Sequence, residues 1–118
     1  MTLTESLKKR DQFSYVYQNG KSYANKQLVM YIVLNGLSKN RIGISVSKKV
    51  GNSVVRHRIT RLIRESCRLK ESMLKTGFDI VVVARAGAKG KNYSEMEHSF
   101  LHLMGLHQLM IEDENSRV

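Results

Sequence analysis

The chain has 118 residues and a strong excess of positive charge, with 20 Lys and Arg against 10 Asp and Glu and a net charge of +10. This length suits a single domain with one modest hydrophobic core. The single cysteine excludes an intramolecular disulfide and fits a reducing cytoplasm, which is the expected location. The start of the chain lacks the apolar core of a signal peptide, and the apolar runs are too short to cross a bilayer, so no membrane partner is expected.

The first part of the chain predicts one short helix. Residues 1–6 are polar and are expected to be loosely held. Residues 11–19 predict a helix that ends before Gly20, with Phe13, Val16 and Tyr17 on its apolar face.

Four segments predict strands. Leu28–Leu34 is rich in branched and aromatic residues and precedes a turn at residues 35–36, and residues 22–24 can add a short strand before it. Residues 41–47 alternate strictly, with Ile42, Ile44 and Val46 toward the core and Arg41, Gly43, Ser45 and Ser47 away from it. The small residues on that second face leave room for something to lie against it. Phe78–Ala84 is almost continuously apolar, as expected of a central strand covered on both faces.

The positive charge is concentrated in residues 39–70, which contain ten basic residues and one acidic residue and so carry nine of the ten net charges. Within this window a helix is predicted to begin at Asn52 or Ser53, whose side chains can cap a first turn, and to continue to about residue 69. Its apolar stripe consists of Val55, Ile59, Leu62, Ile63, Ser66 and Leu69. The basic stripe, nearly opposite, consists of His57, Arg61, Arg64 and Arg68, with Arg56 and Arg58 on its borders.

The basic stripe favours an anionic polymer as partner. Only Glu65 is acidic in this helix, so four cationic positions in a row would repel one another without a partner. The alternative is a merely solvated outer face of a core helix. An anionic membrane is disfavoured, because the apolar stripe has few large side chains and no aromatic ring to insert.

The last part of the chain predicts a mobile basic loop and a final helix. The loop covers residues 87–92, and a capping box of Ser94 and Glu97 is expected to start a helix that runs to about Met110. Its inward side chains are predicted to be Phe100, Leu103, Met104 and His107. Residues 112–118 form an acidic tail that is expected to fray. The elements together predict an α+β fold, a small two-layer sandwich in the order α-β-β-β-α-β-α.

The sequence predicts no catalytic or metal site. A protein nuclease needs converging carboxylates for metal ions or an acid–base pair. The acids that could be ordered belong to different predicted elements: Asp11, Glu65 and Asp79. Cys67 is interpreted as a small buried hydrophobic residue, and His98 and His102 as surface residues, because their helical spacing lacks a third ligand. The polypeptide itself is therefore not expected to be the catalyst.

The segment around the basic helix resembles a known family. Residues 45–65, SVSKKVGNSVVRHRITRLIRE, resemble the signature, called the RNR motif, of the protein subunit of bacterial ribonuclease P. Three further pieces agree in order and spacing: Phe13-x-x-Val16-Tyr17 with Gly20, Tyr23-Ala24-Asn25, and residues 79–85. The resemblance covers about residues 7–110. His57 stands where the family usually has Asn, and Thr60 where it usually has Lys.

The resemblance implies both a topology and a role. It implies a left-handed crossover joining residues 41–47 to Phe78–Ala84 through the basic helix, against the general preference for the right-handed form. It implies a large catalytic RNA as partner and, as substrate, precursor tRNA, whose 5′ leader the holoenzyme removes by endonucleolytic cleavage. Mg²⁺ is expected in that holoenzyme, held mainly by RNA, and no obligatory protein partner is expected.

The resemblance also assigns residues to two RNA-binding surfaces. The residues expected to bind the catalytic RNA are Lys48, Lys49, Asn52, Arg56, His57, Arg58, Arg61, Arg64 and Arg68. Those expected to line a cleft for the leader are Phe13, Tyr17, Tyr31, Ser45 and Ser47. Two alternatives remain open: a non-catalytic structural RNA-binding protein such as a ribosomal protein, and a DNA-binding helix protein. DNA is less favoured, because the stripe has no Asn or Gln with which to read base edges.

Overall fold

The structure is a computed structural model, which describes residues 4–111 and places five strands and three helices in that range. In chain order the elements are β1 (Thr4–Ser6), α1 (Arg10–Asn19), β2 (Lys21–Ala24), β3 (Leu28–Leu34), β4 (Asn40–Ser45), α2 (Ser53–Lys70), β5 (Phe78–Ala84) and α3 (Tyr93–Leu106). Two short 3₁₀ turns, Glu71–Met73 and Ala86–Ala88, follow α2 and β5. The predicted α+β class is confirmed. None of the helices within residues 4–111 is long and apolar enough to span a membrane.

The five strands form one mixed sheet in the order β1-β4-β5-β3-β2. β4 pairs in parallel with both β1 and β5, whereas β3 pairs antiparallel with both β5 and β2. Parallel neighbours need a crossover connection, and α2 is the helix that links β4 to β5. The left-handedness of this crossover stays a prediction of the resemblance.

Helices pack on both faces of the sheet. The larger core joins the inward side chains of β4 and β5, such as Ile42 and Ile80, to Ile63 of α2 and Phe100 of α3. On the opposite face, Val16 of α1 is buried in a smaller cluster with Leu7 and Val81. The predicted two-layer sandwich therefore describes α2 and α3 on the sheet, and α1 adds a partial third layer. β5 is apolar on both faces because both of its faces are covered.

The N-terminal strand β1 is an element that the sequence did not predict. Residues 1–6 were expected to be loose, but Thr4–Ser6 pairs with the start of β4, and the side chain of Thr4 is buried. A three-residue polar strand carries no periodic signal of its own, because its pairing partner lies more than thirty residues away. Residues 1–3 and the predicted acidic tail, 112–118, lie outside the described residues.

The start and the end of α3 both differ from the prediction. The capping box is formed by Asn92 and Glu95, not by Ser94 and Glu97: Asn92 Oδ1 accepts from the Glu95 N–H (2.8 Å) and Glu95 Oε1 accepts from the Asn92 N–H (3.1 Å). Glu97 lies two residues further on and accepts from the Tyr93 hydroxyl instead. The helix ends at Leu106 rather than near residue 110. The four predicted inward residues, Phe100, Leu103, Met104 and His107, are all buried.

Gly20 ends α1 for a different reason from the one predicted. Its φ of −84° is not left-handed, so the usual reason for glycine past a helix end does not apply. A Cβ at this position would lie 2.5 Å from the carbonyl oxygen of Val16 and 2.9 Å from that of Ile32. The glycine therefore allows the end of α1 to approach the backbone of β3 closely.

Candidate RNA interface

The α2 helix begins at the predicted cap and buries most of the predicted stripe. Asn52 Oδ1 accepts from the Val55 N–H (3.0 Å). The residues of the apolar stripe that are buried or packed against the core are Val55, Ile59, Leu62, Ile63 and Ser66. The prediction is wrong for Leu69, which is 52 % exposed, whereas Cys67 is buried as expected. The buried arc is centred near Ile63, which brings Cys67 inside it and leaves Leu69 outside.

The basic stripe of α2 lies on the surface, with one member partly held by the fold. Arg61 and His57 are exposed, and no carboxylate within residues 4–111 forms a salt bridge with Arg61. Arg64 is half-buried, and its Nη1 donates to Ser6 Oγ of β1 (2.9 Å). Arg68 pairs with Glu65 one turn earlier (2.8 Å), and the same hydrogen bond lowers the pKa of the glutamate. The predicted charge repulsion is therefore relieved at one end of the stripe only.

The two border arginines are engaged differently. Arg58 Nη1 donates to the carbonyl oxygen of Lys91 (2.8 Å), in the segment before α3. Arg56 is half-buried beside the exit of β4, and its Nε makes no hydrogen bond with the described part of the chain. The Nε of Arg56 is thus a buried donor without a partner among residues 4–111, out of reach of a phosphate as the side chain stands in this structure.

The entry to α2 adds uncompensated positive charge. Lys48 and Lys49 are exposed in the turn that precedes the helix, and Val50 after them is buried and anchors that turn. The first turn of α2 contains no acidic residue. Because the N-terminal end of a helix is itself partially positive, this arrangement costs free energy unless an anion lies nearby.

The side chains predicted to line a cleft lie on the opposite face of the sheet, where α1 packs. Phe13 of α1 packs directly on Gly43 of β4: a Cβ at Gly43 would lie 2.5 Å from the tip of the Phe13 ring. The predicted room above the small residues of β4 is therefore real, and Phe13 fills part of it.

The other cleft residues touch one another. The rings of Tyr17 and Tyr31 meet edge to face with centroids 5.0 Å apart. Partial burial raises the pKa of the Tyr17 hydroxyl, and the neighbouring Ser45 side chain partly offsets this by lowering it. The group of Phe13, Tyr17, Tyr31 and Ser45 is named here the aromatic cleft, after the cleft predicted for it. Ser47, the fifth predicted member, lies beyond the end of β4 and is exposed, outside this group of contacts.

The two surfaces meet at one end of the sheet. Ser45 is the last residue of β4 and lies in the cleft, and Asn52 caps α2 on the other face. Residues 46–52, which include Lys48 and Lys49, join them. A single short connection therefore carries the chain from the aromatic cleft to the basic stripe, and the two surfaces are adjacent although they belong to different faces.

One polar group that stabilises the cleft face was missed in the sequence. Asp79, with a side chain only 5 % exposed, accepts two hydrogen bonds from Arg41, from Nε (2.7 Å) and Nη2 (2.6 Å), and a third from Asn35 Nδ2 (3.1 Å). The sequence signal was an acid inside an apolar strand, which needs a partner when buried. The ion pair ties β4 to β5 on the face that carries the cleft.

The described residues hold no cluster of side chains that could form a metal centre. No group of three or more His, Cys, Asp or Glu side chains that could bind a metal ion occurs in residues 4–111. His98 and His102 are exposed as predicted. Burial raises the pKa of Cys67 to about 11, so its thiol is a poor nucleophile. Mg²⁺ prefers several oxygen ligands, and no carboxylate cluster in residues 4–111 supplies them.

Fold and surface together define a class, that of small basic α+β proteins that bind RNA. The family model for ribonuclease P matches residues 1–107. The ribonuclease P protein component of Lachnoclostridium phytofermentans is 63 % identical over 98 % of this chain and 99 % of its own length. That of Alkaliphilus metalliredigens is 54 % identical over 88 % of this chain and 94 % of its own length. The chain belongs to the ribonuclease P protein family.

Solved structures agree with this assignment. The ribonuclease P protein of Staphylococcus aureus superposes with a TM-score of 0.83 at 36 % identity, over 90 % of this chain and 97 % of that one. The protein from Thermotoga maritima gives a TM-score of 0.80 at 29 % identity, over 92 % of this chain and 99 % of that one.

The family determines the general role. Its members are the protein component of an RNA-containing endoribonuclease, and RNA binding and tRNA 5′ processing are the role of the family. The chain is thus a subunit of the ribonuclease P holoenzyme. The two alternative interpretations, a ribosomal protein and a DNA-binding protein, are set aside.

Proposed function

We propose that this chain binds the catalytic RNA of ribonuclease P through the basic stripe of α2 and holds the 5′ leader of precursor tRNA in the aromatic cleft. The observation that carries the proposal is the adjacency of the two surfaces across residues 46–52. A protein that contacts both the catalytic RNA and the precursor tRNA at one end of its sheet can hold the precursor tRNA next to the catalytic RNA. Positioning of this kind raises the rate of a reaction that another component catalyses.

The charge distribution supports phosphate binding by α2. Guanidinium groups match phosphate oxygens in pairs, and Arg56, Arg61 and Lys49 have no salt bridge among the described residues. Neutralising RNA phosphates at this surface would lower the repulsion between catalytic RNA and substrate. Asn52, predicted as an RNA contact, is occupied as a helix cap but exposed, so its amide N–H groups remain available.

The composition of the cleft supports a single-stranded ligand. Aromatic side chains stack on unpaired bases without demanding a sequence, which suits leaders that differ between tRNAs. Tyr17 and Tyr31 contribute two aromatic rings to this group, and Ser45 beside Tyr17 adds a small polar side chain. We place Ser47 at the rim rather than in the cleft.

The remaining parts of the proposal concern the setting. The chain acts in the cytoplasm as one RNA-binding unit, without an obligatory protein partner. Mg²⁺ in the holoenzyme is held mainly by RNA.

One reconstitution tests the function. A catalytic RNA from a related bacterium is combined with this protein, and cleavage of 5′-labelled precursor tRNA is measured at low Mg²⁺, where phosphate repulsion is least screened. We expect the protein to restore cleavage at the mature 5′ junction, and the protein alone to leave the precursor intact. Correct cleavage by protein free of RNA would contradict the supporting role, and no stimulation of a matched RNA would contradict the proposed function.

A further inference from the structure

A second group of cations lies outside both proposed surfaces. Lys26 is in the turn between β2 and β3, and Arg85, Lys89 and Lys91 are in the segment between β5 and α3. The side chains of Lys26, Arg85 and Lys89 are exposed, and Lys91 is half-buried. These four residues are named here the loop surface.

Backbone contacts hold the two loops of this surface together. The Arg85 N–H donates to the carbonyl oxygen of Gln27 (2.8 Å), and Arg85 Nη1 donates to that of Asn25 (2.7 Å). Gly87 packs so closely that a Cβ would lie 2.4 Å from the carbonyl oxygen of Lys26. Ala88 is fully buried and anchors the 3₁₀ turn. The segment predicted as a mobile loop is therefore tethered to its neighbour, and its charges are presented by a defined structure.

The loop surface carries almost uncompensated charge. Lys91 pairs with Glu95 (3.7 Å), but no carboxylate in the described range 4–111 forms a salt bridge with Lys26, Arg85 or Lys89. Like charges gathered on two adjoining loops raise the local potential and attract a polyanion.

The loop surface is continuous with α2. Arg58, on the border of the basic stripe, reaches across and donates to the carbonyl oxygen of Lys91 (2.8 Å). Both regions lie where β4 and β5 end, because α2 starts soon after β4 and Arg85 follows β5 directly. A ligand that follows the basic stripe toward the start of α2 therefore meets the loop surface next.

We infer that the loop surface binds phosphates of the same catalytic RNA that α2 binds, as a second electrostatic contact of the protein with that RNA. The inference rests on the proposed function. The contact recorded for the loop surface is with α2, through Arg58 and Lys91, so the ligand that this continuity indicates is the one bound by α2. Among the four residues of the loop surface there is no aromatic ring for stacking, so the contact is with the backbone and independent of base sequence.

The test compares two pairs of lysines of equal charge. Lys26→Gln with Lys89→Gln removes two charges from the loop surface. Lys21→Gln with Lys75→Gln is the matched control. It also removes two exposed charges, but these belong neither to the basic stripe nor to the loop surface. The affinity for catalytic RNA is measured across a salt series at constant Mg²⁺. We expect the log–log salt slope to fall by about 1.8 for the loop pair, which is about 0.9 for each lost phosphate contact, and to stay unchanged for the control.

Two further measurements assign the result. Equal slopes for the loop pair and the control pair would overturn the inference, and so would a loss confined to precursor or mature tRNA binding by the assembled enzyme. Arg61→Ala with Arg64→Ala is measured in parallel. If the salt slope changes for the arginine variant but not for the loop pair, the inference about the loop surface is wrong and the proposed role of α2 stands. If the slope changes for neither variant, the proposed role of α2 is wrong as well.

Discussion

Replacing Tyr17 by Ala is expected to weaken leader binding without affecting assembly. The Tyr17 ring is 40 % exposed and forms one wall of the aromatic cleft, in contact with Tyr31 and Ser45. It is a better probe than Phe13, because Phe13 packs on Gly43 and its removal would leave a cavity under α1.

The size of the effect follows from stacking. An aromatic side chain contributes about 1–3 kcal/mol when it stacks on a single-stranded base. This corresponds to a loss of about 5- to 140-fold in the affinity of the assembled enzyme for precursor tRNA with a leader of several nucleotides. Mature tRNA has no leader and should bind unchanged. The protein itself loses one edge-to-face ring pair, which is worth about 0.5–1.5 kcal/mol of stability.

The assay is the ratio of two dissociation constants, for precursor and for mature tRNA, measured on one preparation of the assembled enzyme. Tyr15→Ala is the matched control, because Tyr15 belongs to the same helix and is 55 % exposed but lies beside Arg10, Ser14 and Gln18, away from the cleft contacts. Thermal unfolding of both variants separates leader binding from damage to the core.

Any of three outcomes would show that the Tyr17 ring does not bind the leader. One is an equal loss for precursor and mature tRNA. Another is an equal effect of Tyr15→Ala and Tyr17→Ala. The third is a large drop in the stability of the Tyr17 variant, which would make the ring a packing residue rather than a ligand contact.

Three more perturbations have defined outcomes. Arg61→Ala with Arg64→Ala should reduce the salt slope of catalytic-RNA binding by up to about 1.8, less if the Arg64 contact with β1 persists in the complex; an unchanged slope would mean a merely solvated stripe. Arg41→Met should cost about 2–4 kcal/mol in urea unfolding, since it leaves the buried Asp79 carboxylate with its Asn35 contact only, and a loss below about 1 kcal/mol would contradict this. His107 Nε2 donates to the Met30 carbonyl oxygen (2.8 Å), its Nδ1 is buried without a partner in the described residues, and burial lowers its pKa. The contribution of neutral His107 to the free energy of unfolding is therefore fully present above its ordinary pKa of 6.5 and is lost as the pH falls through the lowered pKa of the folded state. His107→Gln should make the free energy of unfolding depend less on pH in this range.

Most of the fold could be predicted from local patterns. Leu28–Leu34 and Phe78–Ala84 have the bounds predicted for them, and α2 begins at its predicted cap. These elements are long and strongly periodic, so their type is encoded in their own residues. The elements that were missed or misplaced are short or depend on distant partners. β1 exists through its pairing with β4, and α3 ends earlier than predicted, at Leu106, with Met110 beyond it forming an isolated bridge with Leu74.

The basic surface was visible in the sequence alone. The helical rotation of about 100° per residue places His57, Arg61, Arg64 and Arg68 on one side of α2, independently of the rest of the fold. Because acidic residues are scarce there, the sequence alone predicts a surface for an anionic polymer. The spacing could not show that Arg64 donates to Ser6, because these residues are far apart in the sequence. It also could not show that Arg68 pairs with Glu65, because this contact depends on the side-chain rotamers.

Only the tertiary structure determines which residues come together in the aromatic cleft and in the loop surface. Phe13 and Gly43, or Tyr17 and Ser45, are some thirty residues apart and meet only because α1 packs on the face of the sheet opposite α2. Lys26 and Lys89 become neighbours only when the β2–β3 turn closes on Gly87. Periodicity describes which side of an element a residue occupies, whereas the partner on that side is chosen by sheet order and helix placement, which depend on burial summed over the whole chain.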